Sequence, residues 1–238
     1  MENKQLKVLN LYAGIGGNRK LWTNVDVTAV EIDKEVAKIY QDFFPEDKVI
    51  VGDAIDYLEK HFQEFDFIWA SPPCPSHTKM NRVNAGVRYK GKNMTINIPD
   101  FTLYSIISFL QNLFRGKFVV ENVVSYYEPL IKPTKVLQRH YFWTNFNLEV
   151  FEEKIGTFYN MNTHKNDKCP ELCDYLKIDY EEFKKNSFGE VTMKKALKNC
   201  VHPKLGLHIF NNAFKKVQTK LEVKQEAMQS EARHSSQA

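Results

Sequence analysis

Two hydrophobic segments of the chain each end in side chains that could act on a pyrimidine ring. Residues 65–70 run into the tetrapeptide SPPC, which ends at Cys74, and residues 117–120 run into Glu121 and Asn122. A thiolate adds to a ring carbon, and a carboxyl group can protonate a ring nitrogen. A cytosolic cysteine is more often a buried core residue, and a glutamate more often lies at the surface. The two prolines before Cys74 and the apolar run before Glu121 favour a reactive pair instead.

A glycine-rich turn and two acidic residues indicate a site for an adenosine-type ligand. The sequence LNLYAGIGG, residues 9–17, is typical of a strand followed by a turn in which glycines let a ligand approach the backbone. Glu31 ends a second predicted strand, where an acid can hold ribose hydroxyls. Asp53 ends a third, where it could accept a hydrogen bond from the adenine amine. Either acid could instead cap the following helix, but two acids after such a turn favour the ligand.

The elements that position these residues alternate between strand and helix. Apolar runs predict strands over residues 8–12, 27–32, 48–51, 66–70, 118–120 and 138–143. Helical spacing predicts a short helix after the glycine turn and longer helices over residues 34–44, 54–62, 101–114 and 204–228. This alternation predicts an α/β fold whose mostly parallel sheet is covered on both faces. Such sheets bind ligands at the carboxyl ends of their strands, where the residues above lie.

Composition and charge narrow the class of protein. The 238 residues are 43% hydrophobic, which fits one α/β domain with a small appendage. We find no apolar run of 18 residues and no signal-peptide core, so we expect no membrane association and a cytoplasmic location. Four cysteines in a reducing cytosol are expected to form no disulfides.

The net charge of +4 indicates little about the substrate, whereas the positions of the basic residues in the sequence are informative. Residues 75–98 hold five basic side chains and no acidic one, directly after Cys74. Such a run is usually a solvated loop, but beside a nucleophile it favours a polyanionic substrate such as nucleic acid. The five are Lys79, Arg82, Arg88, Lys90 and Lys92.

Taken in order, the motifs LYAGIGG, VEID, GDA, SPPC, ENV and RHYFW resemble those of the cytosine-5 DNA methyltransferases. The resemblance runs over residues 9–143 and resumes at KNCVHP, residues 198–203, which is similar to the family's C-terminal Asn-Ala-Val-Pro-Pro motif. Amino-methylating enzymes carry an aromatic residue where this chain has Cys74. The resemblance implies a Rossmann-like class I methyltransferase sheet, S-adenosylmethionine as methyl donor and double-stranded DNA as substrate. It also implies base flipping, because a cytosine inside a duplex is out of reach.

The resemblance assigns a role to each matching residue. Cys74 would attack C6 of the flipped cytosine, and Glu121 would contact N3 and the amino group. Asn122, the next residue, belongs to the same catalytic motif. Arg139 would contact the ring carbonyl oxygen and support Glu121, and basic neighbours including Arg139 would help lower the pKa of Cys74. Thr78 and the five basic residues would contact nucleic acid. The donor would be bound by Tyr12, Ala13, Gly14, Ile15, Gly16, Gly17, Glu31, Ile32, Asp53, Ala54, Pro72, Asn199 and Val201.

The chain departs from the family pattern in three places. Pro75 stands where many members have Gln, and Arg139 is a single arginine where two often flank one residue. The segment 147–191 is polar and short, which predicts a small target-recognition lobe with a short target, as in an enzyme of phage or mobile-element type. We expect a catalytic domain over residues 1–146, this lobe, a returning segment over 192–228 and a disordered tail over 229–238.

Other interpretations stay open at this point. RNA could be the substrate, as in the related tRNA enzymes, although their usual Cys-Phe-Thr tripeptide is not found here. A non-catalytic binding module is a further alternative, although the reactive residues are intact. His164, Cys169 and Cys173 lie close together, but their spacing matches no common zinc site and we expect no metal. We expect a monomer in a bacterial cell or phage-infected host, with a cognate restriction endonuclease as a candidate partner.

Overall fold

Strands and helices alternate through the first half of the chain, as the apolar pattern predicts. The structure, a computed structural model, describes residues 5–78, 88–89, 92–93, 98–153, 169–188 and 192–215. The strands are β1 (Leu6–Leu11), β2 (Val25–Glu31), β3 (Lys48–Val51), β4 (Phe67–Ala70), β5 (Arg88–Tyr89), β6 (Lys92–Asn93), β7 (Lys117–Val123), β8 (Lys135–Leu137) and β9 (His140–Thr144). The helices are α1 (Lys34–Phe43), α2 (Ala54–His61), α3 (Thr102–Leu113), α4 (Cys169–Leu176), α5 (Tyr180–Phe183), α6 (Met193–Lys198) and α7 (Pro203–Phe214), with a 3-10 turn over Phe62–Glu64.

Seven strands form one sheet in the order β3-β2-β1-β4-β7-β9-β8. The first five are parallel neighbours, and β9 pairs antiparallel with both β7 and β8. The chain builds outward from β1 to β3 and then returns to the other side of β1 with β4. The predicted mostly parallel α/β fold of the Rossmann-like class I type is therefore confirmed.

The central strands are buried on both faces. Side chains alternate across a strand, so Leu9 and Ile68 pack with α2 and α3 on one face. Val8 and Trp69 pack with α7 on the other. All four residues of β4 are buried. This double coverage explains why these strands appear in the sequence as continuous apolar runs rather than as alternating ones.

Strand β7 is longer than predicted, which places Glu121 and Asn122 inside it. The parallel pairing with β4 stops where Ala70 lies opposite Val120. Antiparallel pairing with β9 continues through Glu121, Asn122 and Val123. The polar end of β7 is thus held on one side by β9, while the side next to β4 faces the turn that carries Cys74.

The segment after β1 is a series of tight turns rather than the predicted short helix. Gly16 N donates to Ala13 O at 3.0 Å, and Arg19 N donates to Gly16 O at 3.1 Å. Trp22 N donates to Arg19 O at 3.0 Å, and no helix lies between β1 and β2 in this described part of the chain. The prediction of a helix directly after this turn is therefore wrong.

Helices α4 and α5 pack on the glycine turn and α1. Leu172 and Phe183 are buried in one cluster with Ile15 of the glycine turn. Lys20 Nζ donates to the carbonyl oxygen of Leu176 at 3.3 Å, at the end of α4. The polar composition of residues 147–191 does not by itself predict these apolar contacts.

Some predictions fall at the border of the described chain. Cys169 and Cys173 are buried in the cluster of α4, whereas His164 lies outside the described residues. Within the described ranges, no group of three His, Cys, Asp or Glu side chains could hold a metal ion. No helix of those same ranges is long and apolar enough to cross a membrane. The described part of the helix predicted over residues 204–228 is α7, and the part beyond residue 215 lies outside the described residues, as does the tail 229–238.

Candidate active site

The glycine turn and the SPPC turn lie side by side because β1 and β4 are neighbours. Leu11 pairs with Ala70, and Ser71 N donates to Leu11 O at 3.3 Å. The strand order changes direction between these two strands. Open α/β sheets bind ligands in the crevice at such a point, so the predicted donor site and the predicted nucleophile share one crevice.

Glu31 is held by backbone N–H groups at the edge of this crevice. Its Oε2 accepts a hydrogen bond from Gly14 N at 2.8 Å, and its Oε1 accepts one from Asp33 N at 3.0 Å. Helix α1 is capped by Asp33, whose Oδ1 accepts from Glu35 N and Val36 N. Glu31 is therefore not the cap, and since each carboxylate oxygen has two lone pairs, it can accept ribose hydroxyls while holding the glycine turn.

Asp53 caps the helix that follows it. Its Oδ1 accepts from Ile55 N at 2.8 Å and from Asp56 N at 3.0 Å, which are the bonds expected of an N-cap. Both bonds end on one oxygen. The capping interpretation is therefore correct for Asp53, and an amine could still approach Oδ2, so its role toward adenine stays a prediction.

Three further residues shape the donor side of the crevice. A Cβ added to Gly14 would meet no atom within 4 Å, so the backbone there faces open space. Ile32 is 70% exposed, which gives a flat ligand an apolar surface. Tyr12 has a φ of 55°, and burial with the charges of Asp53 and Asp100 raises the pKa of its phenol to about 12.

The C-terminal KNCVHP segment packs against the glycine turn from behind. A Cβ added to Gly17 would lie 2.6 Å from the carbonyl oxygen of Val201 and 2.7 Å from the Cβ of Cys200. Val201 is buried, and Asn199 is the exposed C-cap residue of α6. This contact explains a glycine at position 17 and brings both residues of the returning segment close to the donor turn.

Other predicted donor contacts point their side chains into the protein. Ala13 packs with Tyr40, Ile15 packs with the helices α4 and α5, and Ala54 is buried at the start of α2. A Cβ on Gly16 would collide with the rings of Phe44 and Tyr40. These residues can therefore contribute backbone rather than side-chain contacts to a bound donor.

Cys74 lies on the SPPC turn with its side chain half-buried. Burial, followed by the negative charge of Glu121, raises the pKa of the thiol. A backbone hydrogen bond and the charge of Lys195 in α6 act in the opposite direction but do not outweigh them. The prediction that basic neighbours lower the pKa of Cys74 is thus wrong in net effect, and Lys195 is a neighbour that the motifs do not reveal.

Asn122 connects the two halves of the predicted reactive pair. Its Nδ2 donates to the carbonyl oxygen of Pro72 at 3.0 Å, and its Oδ1 accepts from Val123 N at 2.9 Å. The side chain is buried, with 2% of the residue exposed. The strand that carries Glu121 is therefore bonded to the turn that carries Cys74, two residues from the thiol.

The comparisons with known proteins agree with this geometry. A family model described as C-5 cytosine-specific DNA methylase matches residues 6–128, more than half of the 238 residues. The chain belongs to this family. The match includes the glycine turn, Glu31, Asp53, Cys74 and Glu121. No curated protein matches the chain.

Solved structures resemble the methylase chain only in part. A conserved hypothetical protein of Streptococcus pyogenes is 16% identical, with a TM-score of 0.40 over 59% of this chain and 85% of that one. A methyltransferase of Entamoeba histolytica is 16% identical, with a TM-score of 0.38 over 71% of this chain and 65% of that one. A mutant of DNMT2 from Spodoptera frugiperda is 26% identical, with a TM-score of 0.33 over 50% and 36%. The family assignment rests on the family model and the strand order.

The basic side chain that the methylase structure places beside Glu121 is His140. Its Nε2 lies 3.7 Å from Glu121 Oε1, on the strand β9 that pairs with β7. Arg139 is one residue earlier and exposed, and its charge acts on Tyr175 and Lys198. The motif predicts Arg139 as the support of Glu121, and the structure adds His140 as a second candidate.

Half of the six predicted nucleic-acid contacts of the methylase lie outside the described residues. Lys79, Arg82 and Lys90 fall there. Arg88 and Lys92 lie on the two-stranded hairpin β5–β6, which the sequence does not predict. Thr78 forms an isolated bridge with Ser125, so the beginning of the basic loop is attached next to the end of β7.

A separate cavity of about 400 Å³ lies on the other side of the glycine turn. Gly16, Lys20, Phe43 and Ile178 are among its lining residues, and the reactive residues of the crevice are not. It is a gap between the turn, α1 and the helices α4 and α5, and it takes no part in the site described above.

Proposed function

We propose that this methylase transfers the methyl group of S-adenosylmethionine to C5 of a cytosine in double-stranded DNA through a covalent adduct of Cys74. The observation that carries the proposal is the bond from Asn122 to the Pro72 carbonyl, which joins the nucleophile turn to the strand of Glu121. A thiol and a carboxyl group are thereby held at neighbouring strand ends, beside a turn suited to an adenosine ligand. Cytosine C5 is a poor nucleophile until C6 is attacked, so the reaction requires both groups.

The residues of the crevice fit S-adenosylmethionine. Glu31 would hold the ribose, Ile32 would pack on adenine, and Oδ2 of Asp53 would meet the adenine amine. The open space above Gly14 leaves room for the donor to lie on the backbone. When bound, S-adenosylmethionine supplies an electrophilic methyl group to the activated C5.

Cys74 and Glu121 account for the protons of the first step. The charge of Glu121 opposes ionisation of the thiol, and that opposition disappears when Glu121 takes up a proton. Glu121 takes this proton from the thiol, the resulting thiolate forms a bond to C6, and Glu121 passes the proton to N3, so the ring gains no net charge. The electron pair of the C5–C6 double bond shifts toward C4 and leaves C5 nucleophilic. After methylation, a solvent water takes the proton of C5, the electron pair of that C–H bond re-forms the C5–C6 double bond and expels the thiolate, and N3 returns its proton to the carboxylate of Glu121.

Duplex DNA is the favoured substrate for two reasons. The family model is that of DNA methylases, and the basic residues of the segment 75–98 would neutralise phosphates next to the crevice. A duplex cytosine must leave the stack to reach Cys74. We propose the segment 147–191 as the lobe that recognises a short target. Bisulfite sequencing of a methylation-free host expressing the gene would show the target, and a site of six or more base pairs would contradict a short one.

In the direct test, the protein is incubated with tritiated S-adenosylmethionine and either duplex DNA or tRNA. We expect label in the DNA and none in the tRNA, and the reverse result would make RNA the substrate. DNA containing 5-fluorocytosine should form a persistent adduct, because loss of the C5 proton is blocked. Cys74→Ser should form no adduct, whereas Cys173→Ser, which changes a buried cysteine of α4, should still form it. An adduct with Cys74→Ser would disprove the assignment of the nucleophile.

A further inference from the structure

His77 is a buried histidine on the turn that carries Cys74, and the mechanism above does not use it. Its backbone N–H donates to the carbonyl oxygen of Cys74 at 2.9 Å, which closes the turn. Only 1% of the residue is exposed. A histidine buried this completely is uncommon unless its ring nitrogens find partners.

The ring of His77 is the end of a chain of hydrogen bonds. Leu130 N donates to the hydroxyl of Tyr104 at 3.2 Å, and that hydroxyl donates to the hydroxyl of Tyr127 at 3.3 Å. The hydroxyl of Tyr127 lies 2.5 Å from Nδ1 of His77. With Tyr104 as the donor to Tyr127, the single hydrogen of Tyr127 is left for Nδ1 of His77.

This direction requires a neutral imidazole. An acceptor at Nδ1 places the ring hydrogen on Nε2, and Nε2 finds no hydrogen-bond partner among the described residues. Burial lowers the pKa of His77, with the charge of Asp100 and its backbone carbonyl acting in the opposite direction. The titratable groups next to the ring are Asp100 and Tyr127, and Tyr104 of α3 lies one hydrogen bond further away.

The same turn is also attached through its backbone. Tyr126 N donates to the carbonyl oxygen of His77 at 3.2 Å, and Thr78 bridges Ser125. These partners follow directly after the end of β7, the strand that carries Glu121. The side-chain bond to Tyr127 and the backbone bonds therefore join the segment after the nucleophile to the segment after the acid.

We propose that His77 is a positioning residue for Cys74: its neutral imidazole accepts from Tyr127 and fixes the nucleophile turn to the segment after Glu121, and a proton on Nδ1 opposes this bond because it meets the hydroxyl hydrogen of Tyr127. The inference rests on the proposed function, since it assigns His77 to the same reaction. Asn122 holds the turn before Cys74 and His77 holds it after Cys74.

Four variants test this inference. In His77→Asn, Oδ1 of the asparagine is separated from Cα by the same number of bonds as Nδ1 of the histidine. It can therefore accept a hydrogen bond from Tyr127, but it does not titrate. His77→Leu removes the acceptor, and Tyr127→Phe removes the donor. His61→Asn makes the same exchange at a surface histidine of α2 and is the control. Thermal denaturation monitored by circular dichroism shows which variants are folded.

The first readout is methyl transfer to DNA as a function of pH. Wild type and His61→Asn should lose kcat as pH falls through the pKa of His77, below the ordinary range for histidine. His77→Leu and Tyr127→Phe should lower kcat about tenfold or more at neutral pH, with KM for the donor within about threefold, because misplacement of the nucleophile acts on the transition state. His77→Asn should keep the kcat of wild type at neutral pH. Its kcat should not show the decrease at low pH that protonation of His77 causes in wild type. Equal kinetics and pH profiles in His77→Leu and wild type, or equal loss in His77→Asn and His77→Leu, would overturn the inference.

The second readout does not depend on methyl transfer. Alkylation of Cys74 by iodoacetamide, followed by peptide mass spectrometry, reports how well the turn is held. We expect about threefold faster alkylation of Cys74 in Tyr127→Phe and His77→Leu, because a released turn opens more often. If wild type methylates neither DNA nor tRNA, but Cys74 is alkylated faster in Tyr127→Phe and His77→Leu than in wild type, the proposed function fails and the positioning role stands. If wild type methylates DNA and the rates and kcat values are unchanged, the positioning role alone fails.

Discussion

Replacement of Asn122 should lower kcat, through the position of Cys74, by more than its effect on the free energy of unfolding would explain. The side chain donates to the Pro72 carbonyl and accepts from Val123 N. Asn122→Ala removes both bonds and leaves the two backbone groups in a buried place. Asn122→Asp keeps the acceptor but sets a carboxylate against the carbonyl oxygen of Pro72. Both variants break the side-chain bond between β7 and the turn of Cys74.

The size of the effect follows from the burial of this side chain, which is 2% exposed. Each buried backbone group left unpaired costs about 1–3 kcal/mol. We expect Asn122→Ala to lower the free energy of unfolding by about 2–4 kcal/mol, since water that enters the cavity recovers part of the loss. A domain of ordinary stability, with about 5–15 kcal/mol, stays folded after such a loss. A shift of Cys74 by about 1 Å would lower kcat about 100-fold.

Asn145, which follows β9, provides the matched control because its side chain bonds to the backbone at the other end of β7. Its Nδ2 donates to Gly116 O at 2.8 Å and its Oδ1 accepts from Phe118 N at 3.1 Å. Asn145→Ala therefore removes the same two kinds of bond, but at an exposed place far along β7 from Glu121. We expect it to cost about 0.5–1.5 kcal/mol of stability and to leave kcat close to that of wild type.

Urea denaturation measures the stability of each variant, and label transfer from S-adenosylmethionine to DNA measures kcat and KM. Rates of adduct formation with 5-fluorocytosine DNA isolate the step that uses Cys74. If Asn122→Ala and Asn145→Ala reduce kcat by the same factor, the bond to Pro72 does not place the nucleophile. If Asn122→Asp forms the adduct as fast as wild type, the donor Nδ2 is not required and the reasoning fails.

Three further results are expected. Glu31→Gln should raise KM for S-adenosylmethionine about tenfold with kcat retained, because an amide cannot accept on both sides; unchanged KM in steady-state kinetics would contradict this. Gly17→Ala should lower the free energy of unfolding by about 1–3 kcal/mol in thermal or urea denaturation, because the new Cβ would lie 2.6 Å from the carbonyl oxygen of Val201. Alkylation of Cys74 should begin at higher pH than that of an unperturbed thiol, because burial and then the charge of Glu121 raise its pKa. Glu121→Gln removes that charge and should move the onset of alkylation to lower pH. An onset unchanged by Glu121→Gln would contradict this cause.

The centre of the sheet could be predicted from the sequence because its strands are buried on both faces. The predicted strand over residues 48–51 agrees with β3, and the predicted helix over residues 34–44 agrees with α1 to within one residue. Continuous apolar runs and amphipathic spacing are local signals that need no knowledge of neighbouring strands. The residues at the ends of these strands could be predicted for the same reason.

The remaining features depend on contacts between distant parts of the chain. The extension of β7 over Glu121 and Asn122 needs β9 as an antiparallel partner, and polar residues in a strand carry no strong local signal. Lys195 reaches the surroundings of Cys74 only because α6, which follows the segment 147–191, lies near the SPPC turn. One missed feature did have a signal: Leu172 and Leu176 lie four residues apart, which is the spacing of one helix face.

The raised pKa of Cys74 has a consequence for when the proposed reaction can begin. In the free protein, burial and the carboxylate of Glu121 both favour the thiol over the thiolate, so the nucleophile is largely inactive toward adventitious electrophiles at neutral pH. Any event that protonates Glu121 removes one of these two causes. A cytosine that enters the crevice presents N3 to that same carboxyl group, so substrate binding and thiol activation involve one proton. Since Asn122 holds the nucleophile turn against β7, activation should require little movement of Cys74 and should depend mainly on charge.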